Sequence, residues 1–164
     1  MEDVMRAELD TEAAIGSLLD LVAAALARQV DQILLEQLGV GLAQYKILAV
    51  LERQTNLPQR AVAQGLGQTE ASISRQVQIL RTKSLITAQI DPENRRVHYL
   101  ALTAKGAQLA EAARHAMARY QKTTFENLGE KQRKQLLDML HALHAALYLP
   151  GDPAAYAAIT PNSN

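Results

Sequence analysis

The sequence predicts a mainly α-helical protein that carries one small β-hairpin. Long stretches repeat apolar residues every three or four positions, the spacing of a helix with one buried face. Two short strand-like runs near the middle are joined by a polar turn. Aromatic residues are only 4%, with no Trp and one Phe (Phe125), so Leu, Ile, Val and Ala must fill the core.

The 164 residues suffice for one domain with a real core, and no linker divides them. Hydrophobic residues at 48% against 21% charged indicate a folded chain rather than a disordered one. The absence of cysteine excludes disulfides, thiol redox switches and thiolate metal sites. The opening "MEDVMRAELD" is acidic, the wrong charge for a secretory signal, and no apolar run reads as long enough to span a bilayer. A cytoplasmic protein without a membrane partner is the expectation.

In chain order, "TEAAIGSLLDLVAAALARQVDQILLEQL" places Ile15, Leu18, Leu19, Val22, Leu26, Val30, Ile33, Leu34 and Leu38 on one helical stripe. "GLAQYKILAVLERQ" is a second helix, with Leu42, Tyr45, Ile47, Leu48 and Leu51 apolar. "LPQRAVAQGLG" is a short third helix opened by Pro58 and closed by Gly67, with Leu57 and Val62 placed for a hydrophobic staple. "QTEASISRQVQILRTKS" follows a tight turn and turns Ile73, Val77 and Leu80 inward. "LITAQI" and "VHYLALT" are strands joined by "DPENRR", apolar on both faces and therefore uncertain in register. Thr103 is placed to cap a helix running to about Asn127. "EKQRKQLLDMLHALHAAL" lines up Leu136, Leu137, Leu140, Leu143 and Leu147 before Pro150-Gly151 ends it. In the tail beyond, Tyr156 and Ile159 are the residues suited to docking.

Two short helices joined by a tight turn, the second polar on its outer side, form a helix-turn-helix. The outer face of 69–83 carries Thr69, Glu70, Ser72, Ser74, Arg75, Gln78, Arg81 and Thr82. Arg pairs with guanine edges, Gln with adenine, and hydroxyls with phosphates or bases, so the mix suits a major groove. The bland alternative is a merely solvated helix face. The adjacent arginines of "DPENRR" shift the balance. A hairpin after a recognition helix is a wing, and its tip reaches the neighbouring minor groove, whose negative potential attracts guanidinium groups. Arg95 and Arg96 fill that role, unless they only pair with Asp91 and Glu93 in solvent. Charge distribution agrees: residues 1–40 have a balance of −6, residues 41–105 of +5 and residues 106–164 of +1.

Over roughly residues 10–148 the sequence resembles the multiple antibiotic resistance regulator (MarR) family of winged helix-turn-helix transcription factors. The resemblance rests on "GLAQYKILAVL", "LGQTEASISRQVQILRTKSLI" and, most specifically, "DPENRRVHYLALTAKG". It implies one MarR-like domain over 1–164. Residues 10–40 and 104–148 would be N- and C-terminal dimerisation helices, 41–103 the winged helix-turn-helix, and 149–164 a C-terminal tail. It also implies a homodimer on a pseudo-palindromic double-stranded operator, with half-sites about one helical turn apart. Thr69, Ser72, Ser74, Arg75 and Gln78 would read the major groove and Arg95 and Arg96 the minor groove. The chain would be a repressor released by a small amphipathic or phenolic effector, with Tyr45 and Tyr120 as weak candidates for its pocket. Two positions depart from the pattern. Asn94 stands where the family has an Asp that holds the second arginine, and Ser84 stands where it has a Gly.

Other chemistry has thin support. His141 and His144 at i, i+3 and His115 on the preceding helix suggest a metal site less well than ordinary helix contacts. No cofactor is expected. There is no phosphate loop, nucleophile elbow or paired-carboxylate motif, so an enzyme is not expected. The rival reading from another class is a winged-helix protein-interaction module without DNA binding, consistent with the zero net charge and Asn94.

Overall fold

The computed structural model describes residues 2–95 and 97–147, with residues 2–9 as backbone only. In order, the elements are α1 (Glu2–Leu38), α2 (Leu42–Arg53), β1 (Leu57–Pro58), α3 (Gln59–Gly65), α4 (Glu70–Thr82), β2 (Ile86–Ile90), β3 (His98–Leu102), α5 (Ala104–Phe125) and α6 (Glu130–Leu147). The mainly helical class with a small β-element is as predicted. The chain forms two compact units, the first ending at Leu42 and the second beginning at Ala43. Tyr156, Ile159 and the rest of the tail lie outside the described residues.

In the first unit, α1 starts at Glu2 rather than at Thr11. Residues 2–10 hold good helix formers and neither Gly nor Pro, so nothing interrupts the helix there. Gly39, at φ +67°, ends it, and its N–H donates to Leu35 O at 3.0 Å. Asp31 Oδ1 accepts the Leu42 N–H at 2.7 Å. Val30, Leu34 and Val40 are buried, whereas Ile15, Leu18, Leu21 and Val22 are exposed. One expectation is corrected here. Asp10–Leu38 is long and apolar enough to cross a membrane by length and composition, reaching a mean hydropathy of 1.5. The run of Ala, Leu and Val around Asp20 produces this, and a helix face built to pair with another helix has the same composition.

In the second unit, Ile47, Leu48 and Leu51 of α2, Val62 and Ala63 of α3, and Ile73, Val77 and Leu80 of α4 are buried with Leu85, Ile86 and Leu100. The three residues predicted to face inward from α4 do so. The sheet has the order β1-β3-β2. β1 was not foreseen: Leu57, expected as a staple against Val62, pairs along the backbone with Leu100, and Pro58 with Tyr99. Proline is tolerated there because β1 is an edge strand, which need not donate from every N–H. The β2–β3 register is now fixed, from Ile86 opposite Leu102 to Ile90 opposite His98.

α3 ends with Gly67 at φ +60°, as its predicted closing role requires. α4 ends the same way around a residue that is not glycine. Ser84 N–H donates to Arg81 O and Leu85 N–H to Leu80 O, both at 2.9 Å, and Ser84 sits at φ +56°. This double bond pattern is the Schellman ending of a helix, which favours Gly at the left-handed position. Ser84→Gly should therefore raise stability by about 0.5–1 kcal/mol, read as a higher denaturation midpoint at unchanged slope.

α5 is fastened to that same helix end. Thr103 Oγ1 accepts Gly106 N–H at 3.0 Å as the N-cap and donates to Ser84 O at 2.8 Å. Lys105 Nζ donates to Lys83 O at 3.0 Å, and Thr103 N–H to Leu85 O at 3.0 Å. Gly106 is buried against the Leu85 carbonyl: a Cβ built there would overlap its oxygen and lie 2.9 Å from its carbon. The "LT-x-K-G" segment is thus a latch that holds the end of α4 and the start of α5 together. α6 carries no buried residue, and Leu137, Leu140, Leu143 and Leu147 are all exposed.

Candidate nucleic-acid interface

Burial of Ile73, Val77 and Leu80 turns the polar side of α4 outward. Ser72, Ser74, Arg75, Gln78, Arg81 and Thr82 are all exposed there. Thr69 is exposed too, but it is the N-cap, and its hydroxyl accepts Ser72 N–H at 3.2 Å. Ser72 Oγ in turn donates to Gln68 Oε1 at 3.2 Å. These two hydroxyls therefore organise the start of α4 whatever else they contact. Glu70, the acidic residue of this face, lies 3.7 Å from Arg60 of α3, a well-solvated pair that contributes little.

The hairpin tip is organised by Asp91. Its Oδ1 accepts the N–H groups of Glu93 at 2.8 Å and Asn94 at 3.2 Å, while Asp91 N–H donates to Val97 O at 3.0 Å. Asp91 thus serves the turn backbone, and Arg95 is exposed and makes no ion pair among the described residues. Arg96, the other predicted wing residue, lies outside the described residues.

Between α4 and the hairpin runs an open groove of about 540 Å³. Ser74, Gln78, Arg81 and Thr82 form one wall, His98 the other, Gln59 closes the α3 end, and Val77 and Ala88 make the floor. Gln59 and His98 were missed in the sequence. The signal for His98 was available only once the register was known, because it shares the inner face of β3 with buried Leu100.

Tyr45 is 8% exposed and lies in the second unit. Burial, reinforced by Glu52, holds its hydroxyl above the ordinary tyrosine range. The folded state thus keeps the proton more tightly than the unfolded chain. The associated stability is complete below about pH 10 and is lost as pH rises through the higher folded value. Tyr45→Phe should flatten the alkaline limb of a stability–pH curve measured by denaturant unfolding. Tyr120 is half-buried, and neither tyrosine lines the groove. His115 Nε2 lies 2.8 Å from Glu111 Oε1, and Glu111 also pairs with Arg114. Hydrogen bonds from Arg114 and then His115 hold the Glu111 carboxyl below its ordinary value. Among the described residues no three His, Asp or Glu side chains gather as a metal site, and His141 and His144 lie on α6.

Residues 38–97, which contain the helix-turn-helix and most of the hairpin, match the MarR family model. Over that segment the chain is similar to the MarR family. YdgJ, an HTH-type transcriptional regulator of Bacillus subtilis, is 22% identical over 102 residues, which span 62% of this chain and 62% of YdgJ. The crystal structure of Staphylococcus aureus MepR in complex with DNA is 25% identical, with a TM-score of 0.71 over 82% of this chain and 98% of MepR. CouR from Rhodococcus jostii RHA1, bound to p-coumaroyl-CoA, has a TM-score of 0.68 over 82% of this chain and 94% of CouR, at 23% identity. The arrangement of α4 and the hairpin is therefore that of a MarR-type transcriptional regulator fold.

Proposed function

We propose that the chain is a sequence-specific DNA-binding transcriptional regulator that acts as a homodimer, more specifically a repressor released by a small molecule. The observation that carries this reading is the exposed polar face of α4 beside an exposed Arg95 on the hairpin. Arg75 and Gln78, with Ser72, Ser74 and Thr69, would meet base edges and phosphates in the major groove. Arg95 and Arg96 would enter the neighbouring minor groove. The exposed apolar residues of α1 and α6 support a dimer, since faces of that extent are seldom left to water. Two recognition helices related by a two-fold axis call for a pseudo-palindromic operator. CouR's p-coumaroyl-CoA supports an amphipathic effector, which would act by binding one dimer geometry better than another. A cytoplasmic location follows from that role.

Selection from random duplexes tests the proposal with no operator specified in advance. It should enrich an inverted repeat with half-sites about one helical turn apart. Failure to enrich any sequence would favour the protein-interaction module, the reading that the zero net charge and Asn94 support.

A further inference from the structure

The groove between α4 and the hairpin has a composition that its floor and walls do not need for folding. From base to tip, the inner face of the hairpin pairs Ile86 with Leu102, Ala88 with Leu100 and Ile90 with His98. The first two pairs lie over the core, where Ile86 and Leu100 are buried. The third extends past it, leaving Ile90 exposed and His98 half-buried on a side that faces α4. Ala88 is too small to fill the gap. The result is a trough whose walls are amides, hydroxyls, one guanidinium and one imidazole, with no acidic residue among those lining it. Such a site attracts an anion, and it lies between the two elements assigned to DNA.

We propose that this groove seats a phosphate of the DNA backbone, held by Arg81 and His98, and that protonation of His98 makes DNA affinity depend on pH. The inference rests on the DNA-binding reading and deepens it. Arg81 supplies a charge at every pH, and Gln59, Ser74 and Gln78 supply neutral donors. A histidine changes charge between about pH 5 and pH 8, so a phosphate beside it draws a proton onto the ring. Among the described residues the charged groups around His98 are few. Arg81 faces it from α4, and α3 offers only Gln59, since the adjacent Arg60 is turned to Glu70. β2 has no ionisable side chain. Asp91, next to the β2 partner Ile90, spends Oδ1 on the turn N–H groups, and Glu93 and Arg95 follow on that turn. A phosphate would be the anion that the imidazolium meets across the groove.

Because a backbone phosphate is the same in every sequence, no operator is needed for the test. A labelled mixed-sequence duplex of about 30 base pairs is titrated by fluorescence anisotropy at low salt, at about pH 6 and about pH 8. The wild type should bind roughly 3- to 10-fold more weakly at the higher pH. His98→Gln should bind with nearly the same affinity at both and match the wild type at the higher one. His98→Lys, which keeps a cation throughout, should bind tightly at both and keeps the test decisive if the Gln variant does not fold. Arg81→Gln should weaken binding at both pH values and lower the slope of log affinity against log salt by about one. A wild type that binds with no pH dependence, or with one that His98→Gln retains, overturns this inference and leaves the parent reading standing. A wild type that binds no duplex at either pH overturns both.

Discussion

Gly106→Ala should be among the most damaging single-methyl changes available to this chain, with a loss on the order of 3 kcal/mol of unfolding free energy. The reason is what the new methyl would meet. It would overlap the Leu85 carbonyl, and that is backbone, which cannot rotate away as a flexible side chain does. The same carbonyl accepts the Thr103 N–H, and Gly106 N–H completes the Thr103 cap. Relieving the clash therefore requires α5 to lift from the end of α4, at the cost of the latch bonds to Ser84 and Lys83 as well. Gly65→Ala is the matched control. Nothing lies within 4 Å of a Cβ at that position, so it should gain a few tenths of a kcal/mol or more from helix propensity. Urea unfolding of both variants reads the contrast. Equal, small effects at the two glycines would show that the α4–α5 junction is not held as tightly as described.

The second large effect is expected in DNA binding. Arg75→Ala should cost about 1–3 kcal/mol against the preferred duplex, and much less against a scrambled one, because a base-reading contact carries sequence information. Arg95→Ala should weaken binding to both duplexes more evenly and lower the salt slope by about one. Competition titrations with the two duplexes separate the patterns. Both side chains are exposed and neither packs in the core, so stability should change by less than about 0.5 kcal/mol. Loss of DNA binding with unchanged melting would then assign the contact rather than the fold.

The helices were legible because their apolar periodicity is strong. α6 starts at the residue read from the sequence, and the inner face of α4 is the predicted set. Thr103 and Gly67 announced themselves through cap chemistry, and Ser84 adopts the left-handed conformation that its place at the end of α4 demands. What escaped was set by pairing rather than pattern. β1 is only Leu57–Pro58, and two residues carry no period. The hairpin register was undetermined because both faces are apolar, and His98 and Gln59 could not be placed in the groove without it. Asp91 was read only as an ion-pair partner for the arginines, and its bonds to the turn N–H groups carry no sequence period to announce them. Thr69 was read only as a DNA contact, and its role as the N-cap of α4 was not foreseen.

Amide hydrogen exchange, measured with and without a duplex recovered by selection, tests most directly whether α4 and the hairpin together form the DNA surface. The predicted result is slowed exchange confined to α4 and to residues 91–98, with α6 unaffected. Bound DNA that leaves α4 and the hairpin unprotected, or protects another surface, would contradict the account.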